Sequence, residues 1–254
     1  MGTTSSNEDS RTARAFSGIW QAEHGREALP TGKPVCTYAP HVIRLLLNGN
    51  YEVALIVSIV LVLAIALHEF GHAAAADLQG DPTPRLAGRL TLNPLAHLDP
   101  VGTFFLIIAG FGWGKPVSFS LPKLRFKRAG AAIVALAGPA MNILLAIVGA
   151  ALYTRYDLSN PGTFGWAFAR ELLAIDVLLA IFNLIPIPPL DGSRLLTLFL
   201  PPARQQVIFF LDRWGFLLLL AILFLFQGLL FGITMTVANV ILSFFGPVRL
   251  PTVF

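Results

Sequence analysis

Residues 53–76 read VALIVSIVLVLAIALHEFGHAAAA. Only Ser58 is polar in the first fifteen positions, and the run leads directly into His68, Glu69 and His72, a His-Glu-x-x-His pattern. On a helix, positions i and i+4 lie one above the other, so both imidazoles can face one metal ion with the glutamate beside them, the arrangement of a zinc hydrolase. A rise of about 1.5 Å per residue places His68 roughly 22 Å from Val53, inside a hydrocarbon core about 30 Å thick. Ionisable groups are expensive at that depth and are kept mostly where they act. The other reading, two core histidines in a soluble protein, would bury Glu69 uncharged and unpaired, with no Lys or Arg following at helical spacing.

The rest of the chain agrees with a bilayer as solvent. Of 254 residues, 55% are hydrophobic and 13% charged, and the mean hydropathy is +0.70, a balance suited to a polytopic membrane protein and too poor in charge to cover a soluble fold. The net charge of +4 suggests no nucleic acid, because the basic residues fall in short loops between apolar segments. With Cys36 as the single cysteine, neither an internal disulfide nor a cysteine zinc cluster can form, so a metal must be held by His and carboxylates. No cleavable signal peptide is expected at the start of the chain.

In chain order, residues 1–40 read as a flexible polar tail and 41–254 as a membrane-embedded domain. The first span covers about 51–79 and stops at Gly80-Asp81-Pro82. The mostly apolar stretch 101–113 is too short to cross and reads as re-entrant, with Gly110, Gly112 and Gly114 at its end. Residues 115–123, carrying Pro116 and Pro122, read as a short hairpin at the membrane edge. The segment 129–153 is a spanning helix whose small residues, Gly138 among them, allow close helix packing. Residues 166–186 give another span, interrupted by Asp176 and Asn183, and 214–245 is one tilted helix or two short ones. The expected fold is therefore an all-α polytopic bundle of about four to six transmembrane helices with a re-entrant segment and a membrane-edge β-hairpin. Loop charges orient it: Arg85, Arg89, Lys115, Lys123, Arg125, Lys127, Arg128, Arg194, Arg204 and Arg213 gather on one side, against Arg155 and Arg170 on the other. The motif then lies nearer the cytoplasmic face of a plasma membrane, while the topology of the tail stays open.

Two histidines do not complete a zinc site, since a catalytic ion usually takes three protein ligands. By pattern, Asp191 is preferred as the third, because Pro186, Pro188 and Pro189 leave irregular backbone that can swing its side chain inward. Asp176, an intramembrane carboxylate, stays open as the alternative. His97 and Asp99 read as loop-ordering residues.

HEFGH in an apolar segment, Gly138-Pro-Ala-Met-Asn142 in a second helix and Asn183-Leu-Ile-Pro-Ile-Pro-Pro-Leu-Asp-Gly192 at the end of a third together resemble the site-two protease family of intramembrane zinc metalloproteases. The resemblance covers about residues 51–216 and is closest to compact bacterial and archaeal members without a PDZ domain. It implies one Zn2+ per chain held by His68, His72 and Asp191, with Glu69 as catalytic base. It also implies that Asn142 lines the active site and hydrogen-bonds the substrate or oxyanion. The residues before Asp191-Gly192 differ from the usual Asn-Pro-Asp-Gly. The implied activity is hydrolysis of peptide bonds in or near the transmembrane helix of single-span substrates. A metal-binding transporter or silent scaffold is the alternative, weakened by the absence of internal repeats and the presence of Glu69.

Overall fold

A computed structural model describes residues 42–109, 113–155, 163–199 and 205–250. The expected tail 1–40, His24, Cys36, His41, Gly110, Gly112 and Arg204 lie outside the described residues. The chain enters through a six-residue helix α1 (Val42–Leu47) and turns at Gly49, whose φ of 78° suits a residue without Cβ. It then rises through α2 (Tyr51–Leu78), 28 residues or about 42 Å long. Gly80, at φ 93°, stops α2 where the sequence places the stop.

Short helix α3 (Thr83–Leu86) and a 3-10 turn at Pro94–Ala96 lead to α4 (Pro100–Ala109). With ten residues, α4 spans about 15 Å and is too short to cross, as expected of a re-entrant element. After a 3-10 turn at Leu121–Lys123 come α5 (Lys127–Tyr153) and α6 (Phe164–Asn183), the latter capped by the Thr163 hydroxyl, which accepts from Trp166 N–H. Helices α7 (Gly192–Phe199), α8 (Gln205–Leu225) and α9 (Gln227–Ser243) follow, and the α8–α9 pair bends by 77° at Phe226. The long apolar stretch 214–245 therefore resolves into two pieces.

Helices α2, α5 and α6 pack on one another and carry the site. Where lipid tails are as apolar as the side chains, packing rather than water exclusion holds helices together, and small residues let backbones meet. A Cβ on Gly71 of α2 would lie 2.7 Å from the Ala137 carbonyl of α5, and one on Gly149 of α5 would lie 2.7 Å from the Leu173 nitrogen of α6. Ile56, Val57 and Val60 of α2 pack with Leu172 and Ile175, while Leu173 and Val177 pack with Ala146, Ala150 and Ala238. Helix α6 is thus wedged between its neighbours and buries Asp176 completely.

Two finer expectations are not confirmed among the described residues. Among the described residues, α2 and α5 alone are single helices long and apolar enough to cross a membrane, with the bent α8–α9 pair as a third candidate, fewer than the expected four to six. Helix α6 has the length but carries Arg170, Glu171 and Asp176. The second concerns the hairpin: residues 115–120 carry no regular secondary structure, and no strand forms among the described residues. Pro116 has no N–H to give, and the Ser120 N–H is drawn away to the Asp81 carboxylate. What remains is a single antiparallel bridge between Leu98 and Gly114, with Lys115 N–H donating to the His97 carbonyl at 2.7 Å. Burial would push the Asp81 carboxyl up, but donation from Ser120 N–H and from the Thr83 hydroxyl and N–H holds it below the usual carboxylate range.

Candidate metal centre

His68 and His72 sit one helical turn apart on α2, followed by four alanines that favour the helix. Their exposures are 8% and 7%, their rings meet edge to face, and their Nε2 atoms are 3.0 Å apart. Asp191 reaches them from the turn between α6 and α7, with Oδ2 at 3.0 Å from His68 Nε2 and 3.2 Å from His72 Nε2. That turn needs Gly192, because a Cβ there would run into the carbonyl oxygens of Leu184 and Ile185 at the end of α6. Three groups separated by up to 123 positions thus converge on one point.

The outer nitrogens fix the tautomers. His72 Nδ1 lies 2.7 Å from the Val134 carbonyl of α5, and His68 Nδ1 lies 2.5 Å from Asn142 Oδ1. Both partners are acceptors, so both Nδ1 atoms carry the proton and both Nε2 atoms present lone pairs to Asp191. Three acceptors facing one another, with no Lys or Arg in an ion pair with any of them among the described residues, are reconciled by a cation. A tetrahedral ion with ligands at about 2.0–2.2 Å sets its ligand atoms roughly 3.3 Å apart, close to the triangle observed here.

Comparison with known proteins agrees with that donor set. The chain is 34% identical over 170 residues to Putative zinc metalloprotease YwhC of Bacillus subtilis (strain 168), covering 65% of this chain and 78% of that one. It is 36% identical over 165 residues to Putative zinc metalloprotease Rip2 of Mycolicibacterium smegmatis, with 63% of each chain covered. With Rip2 of Mycobacterium tuberculosis H37Rv it shares 33% over 177 residues, 67% of this chain and 68% of that one. The chain belongs to the site-two protease family of zinc metalloproteases. No family model and no solved structure matches it.

Zinc is the ion that this membership implies, and the two imidazoles and carboxylate suit it. Among the described residues, the structure of this site-two protease relative groups His68 and His72 with Asp191 and leaves Asp176 outside the triangle. Asp176 instead accepts from Asn142 Nδ2 at 2.7 Å, two hydrogen bonds removed from the ligating nitrogens. Asn142 is 0% exposed, with its Oδ1 toward His68 and its Nδ2 toward Asp176. Polar groups on neighbouring membrane helices satisfied each other, a pairing that spacing along one helix does not show.

Glu69 is half-buried, and no hydrogen bond reaches its carboxylate among the described residues. It lies under the loop bridge: a Cβ on Gly114 would come within 3.2 Å of Glu69 Oε1 and of the His97 carbonyl. His97 itself is fully buried and bonds the Thr91 carbonyl at 2.8 Å, a loop-ordering role. A cavity of 460 Å³ lined by Arg89, Leu98, Asp99 and Lys115 adjoins that loop.

Gly138, which the sequence shows as a small packing residue at the head of the second motif, faces the two histidines. A Cβ there would stand 2.5 Å from His72 Nε2 and 2.6 Å from His68 Nε2. Both nitrogens belong to fixed rings, so Gly138→Ala is expected to push a methyl group into the ligand triangle. Zinc content of the purified variant, measured by metal analysis, should fall by about tenfold or more, as for disturbed ligand orientation. Full zinc occupancy would show that α5 can withdraw from α2.

Proposed function

We propose that this protein is an intramembrane zinc metalloprotease that hydrolyses peptide bonds in or near the transmembrane helices of single-span membrane proteins. The carrying observation is the His68–His72–Asp191 triangle on a helix long and apolar enough to cross the bilayer. His68, His72 and Asp191 would hold the ion. When bound, zinc lowers the pKa of a coordinated water toward about 7 and polarises a carbonyl oxygen. Glu69, with no donor on its carboxylate, accepts the proton of the attacking water and returns it to the leaving amine. Asn142 and the Val134 carbonyl keep the two imidazoles turned inward.

Water would come from the side of the basic loops, where Gly114 approaches Glu69. Those loops favour the cytoplasmic face. A helical peptide bond is shielded by its own hydrogen bond, so the substrate must unwind. Residues 117–119 lie outside any helix and, among the described residues, no hydrogen bond uses their N–H groups, which suits pairing with the unwound segment as an added strand. A transporter or silent scaffold is less favoured, because the relatives bear protease names and Glu69 is retained.

The test is purified full-length protein mixed in detergent with a single-span substrate. Cleavage should map to the transmembrane segment or its border, stop on chelation and return with zinc. Cleavage that persisted in metal-free protein, or that was confined to soluble peptides, would refute the reading.

A further inference from the structure

Asp176 is a carboxyl group with no role in the chemistry above and no exposure to solvent. Among the described residues no cation pairs with it, its Oδ2 has no hydrogen-bond partner, and its Oδ1 takes one bond, from Asn142 Nδ2 at 2.7 Å. A polar group so placed is costly in an apolar bundle, so its single contact is where a return is to be sought.

That contact decides which way Asn142 points. The Asn142 Nδ2 group faces two acceptors, Asp176 Oδ1 and, at 3.4 Å, the Ala64 carbonyl. Rotating the amide by half a turn would set its oxygen against both and present its NH2 group to His68 Nδ1. With Asp176 in place, Asn142 Oδ1 is the atom toward His68, and it accepts only from a protonated Nδ1, which leaves His68 Nε2 bare toward Asp191. His72 has no such dependence, because its Nδ1 partner is the main-chain carbonyl of Val134.

We propose that Asp176 is a positioning residue that fixes the tautomer and direction of the His68 ring through Asn142. This rests on the metal centre of the proposed function and adds to it a link from α6 through α5 to α2. The link makes the His68 arm of the triangle adjustable by side-chain substitution, whereas the His72 arm is not.

The test uses the full chain in detergent and reads metal binding: zinc affinity by competition with a chromophoric chelator, and the visible absorption of the cobalt(II)-loaded protein. Asp176→Asn keeps an acceptor for Asn142 and should bind zinc close to the parent. Asp176→Leu removes the acceptor and should bind about tenfold or more weakly, with an altered cobalt band, the usual scale for an outer partner of a ligand. Asn142→Asp sets two carboxylates face to face and should also weaken binding. Adding Asp176→Asn to it restores a donor opposite an acceptor, and affinity should recover. Parental affinity in Asp176→Leu, or no recovery in the double variant, overturns the proposal. If Asp176→Leu does not fold, the exchanged pair decides alone. A parent that binds no metal overturns the metal centre and this link with it, whereas parent-like binding in Asp176→Leu overturns the link only.

Discussion

Glu69→Gln is expected to lower the rate of cleavage by about 10²- to 10⁴-fold, the range for a positioned acid or base, while zinc stays bound. The two outcomes separate because Glu69 and the ligands do different work. The triangle is made by His68, His72 and Asp191, and none of its distances involves Glu69. The glutamine is nearly isosteric, breaks no ion pair among the described residues, and fits the gap beneath Gly114, where the carboxylate now sits. What it lacks is a basic oxygen to take a proton from water. The assay pairs initial rates on a single-span substrate with metal analysis of the same preparation. Unchanged cleavage with zinc retained would remove Glu69 from the mechanism and leave the chemistry without a base.

The contrast between Glu69 and Asn142 shows what a chain of letters can disclose. Glu69 is legible because its partners are one and three positions away on one helix, where the period of 3.6 residues fixes geometry locally. The same holds for the stop at Gly80 and the ten-residue α4. The break within 214–245 was legible as a possibility, and the bend at Phe226 decided it. Asp191 was singled out by the prolines before it, but its meeting with His68 across 123 positions depends on how α6 ends against α2. Asn142 was legible as important and not as buried. Its place is set by His68, 74 residues back, and by Asp176, 34 residues on, and no local pattern encodes that coincidence. No hairpin is seen among the described residues for a similar reason: Asp81, 39 residues away, captures the Ser120 N–H that a ladder would use. Gly138 read correctly as a small residue for helix packing, yet what it makes room for is a pair of imidazoles.

Asp191→Ala should abolish zinc binding at concentrations that saturate the parent. Apparent zinc binding energies of about 10–16 kcal/mol, spread over three or four ligands, make each ligand worth roughly 3–4 kcal/mol, or about 10²–10³-fold in affinity. The loss should not reflect unfolding. Asp191 lies in a turn outside the α2–α5–α6 packing, and its removal takes away an acceptor and leaves no unpaired carboxylate behind. Thermal melting in detergent with and without zinc separates the cases: the ion should raise the melting temperature of the parent and not that of the variant, while the metal-free midpoints stay close. If the variant kept its zinc, a different carboxylate would have to be the third ligand. Asp176 can reach that position only by giving up Asn142, which would release His68 Nδ1 from its acceptor. Retained zinc in Asp191→Ala together with lost zinc in Asp176→Leu would therefore reverse the assignment of the two aspartates, and the reverse pattern of a complete loss and a partial one is what the geometry requires.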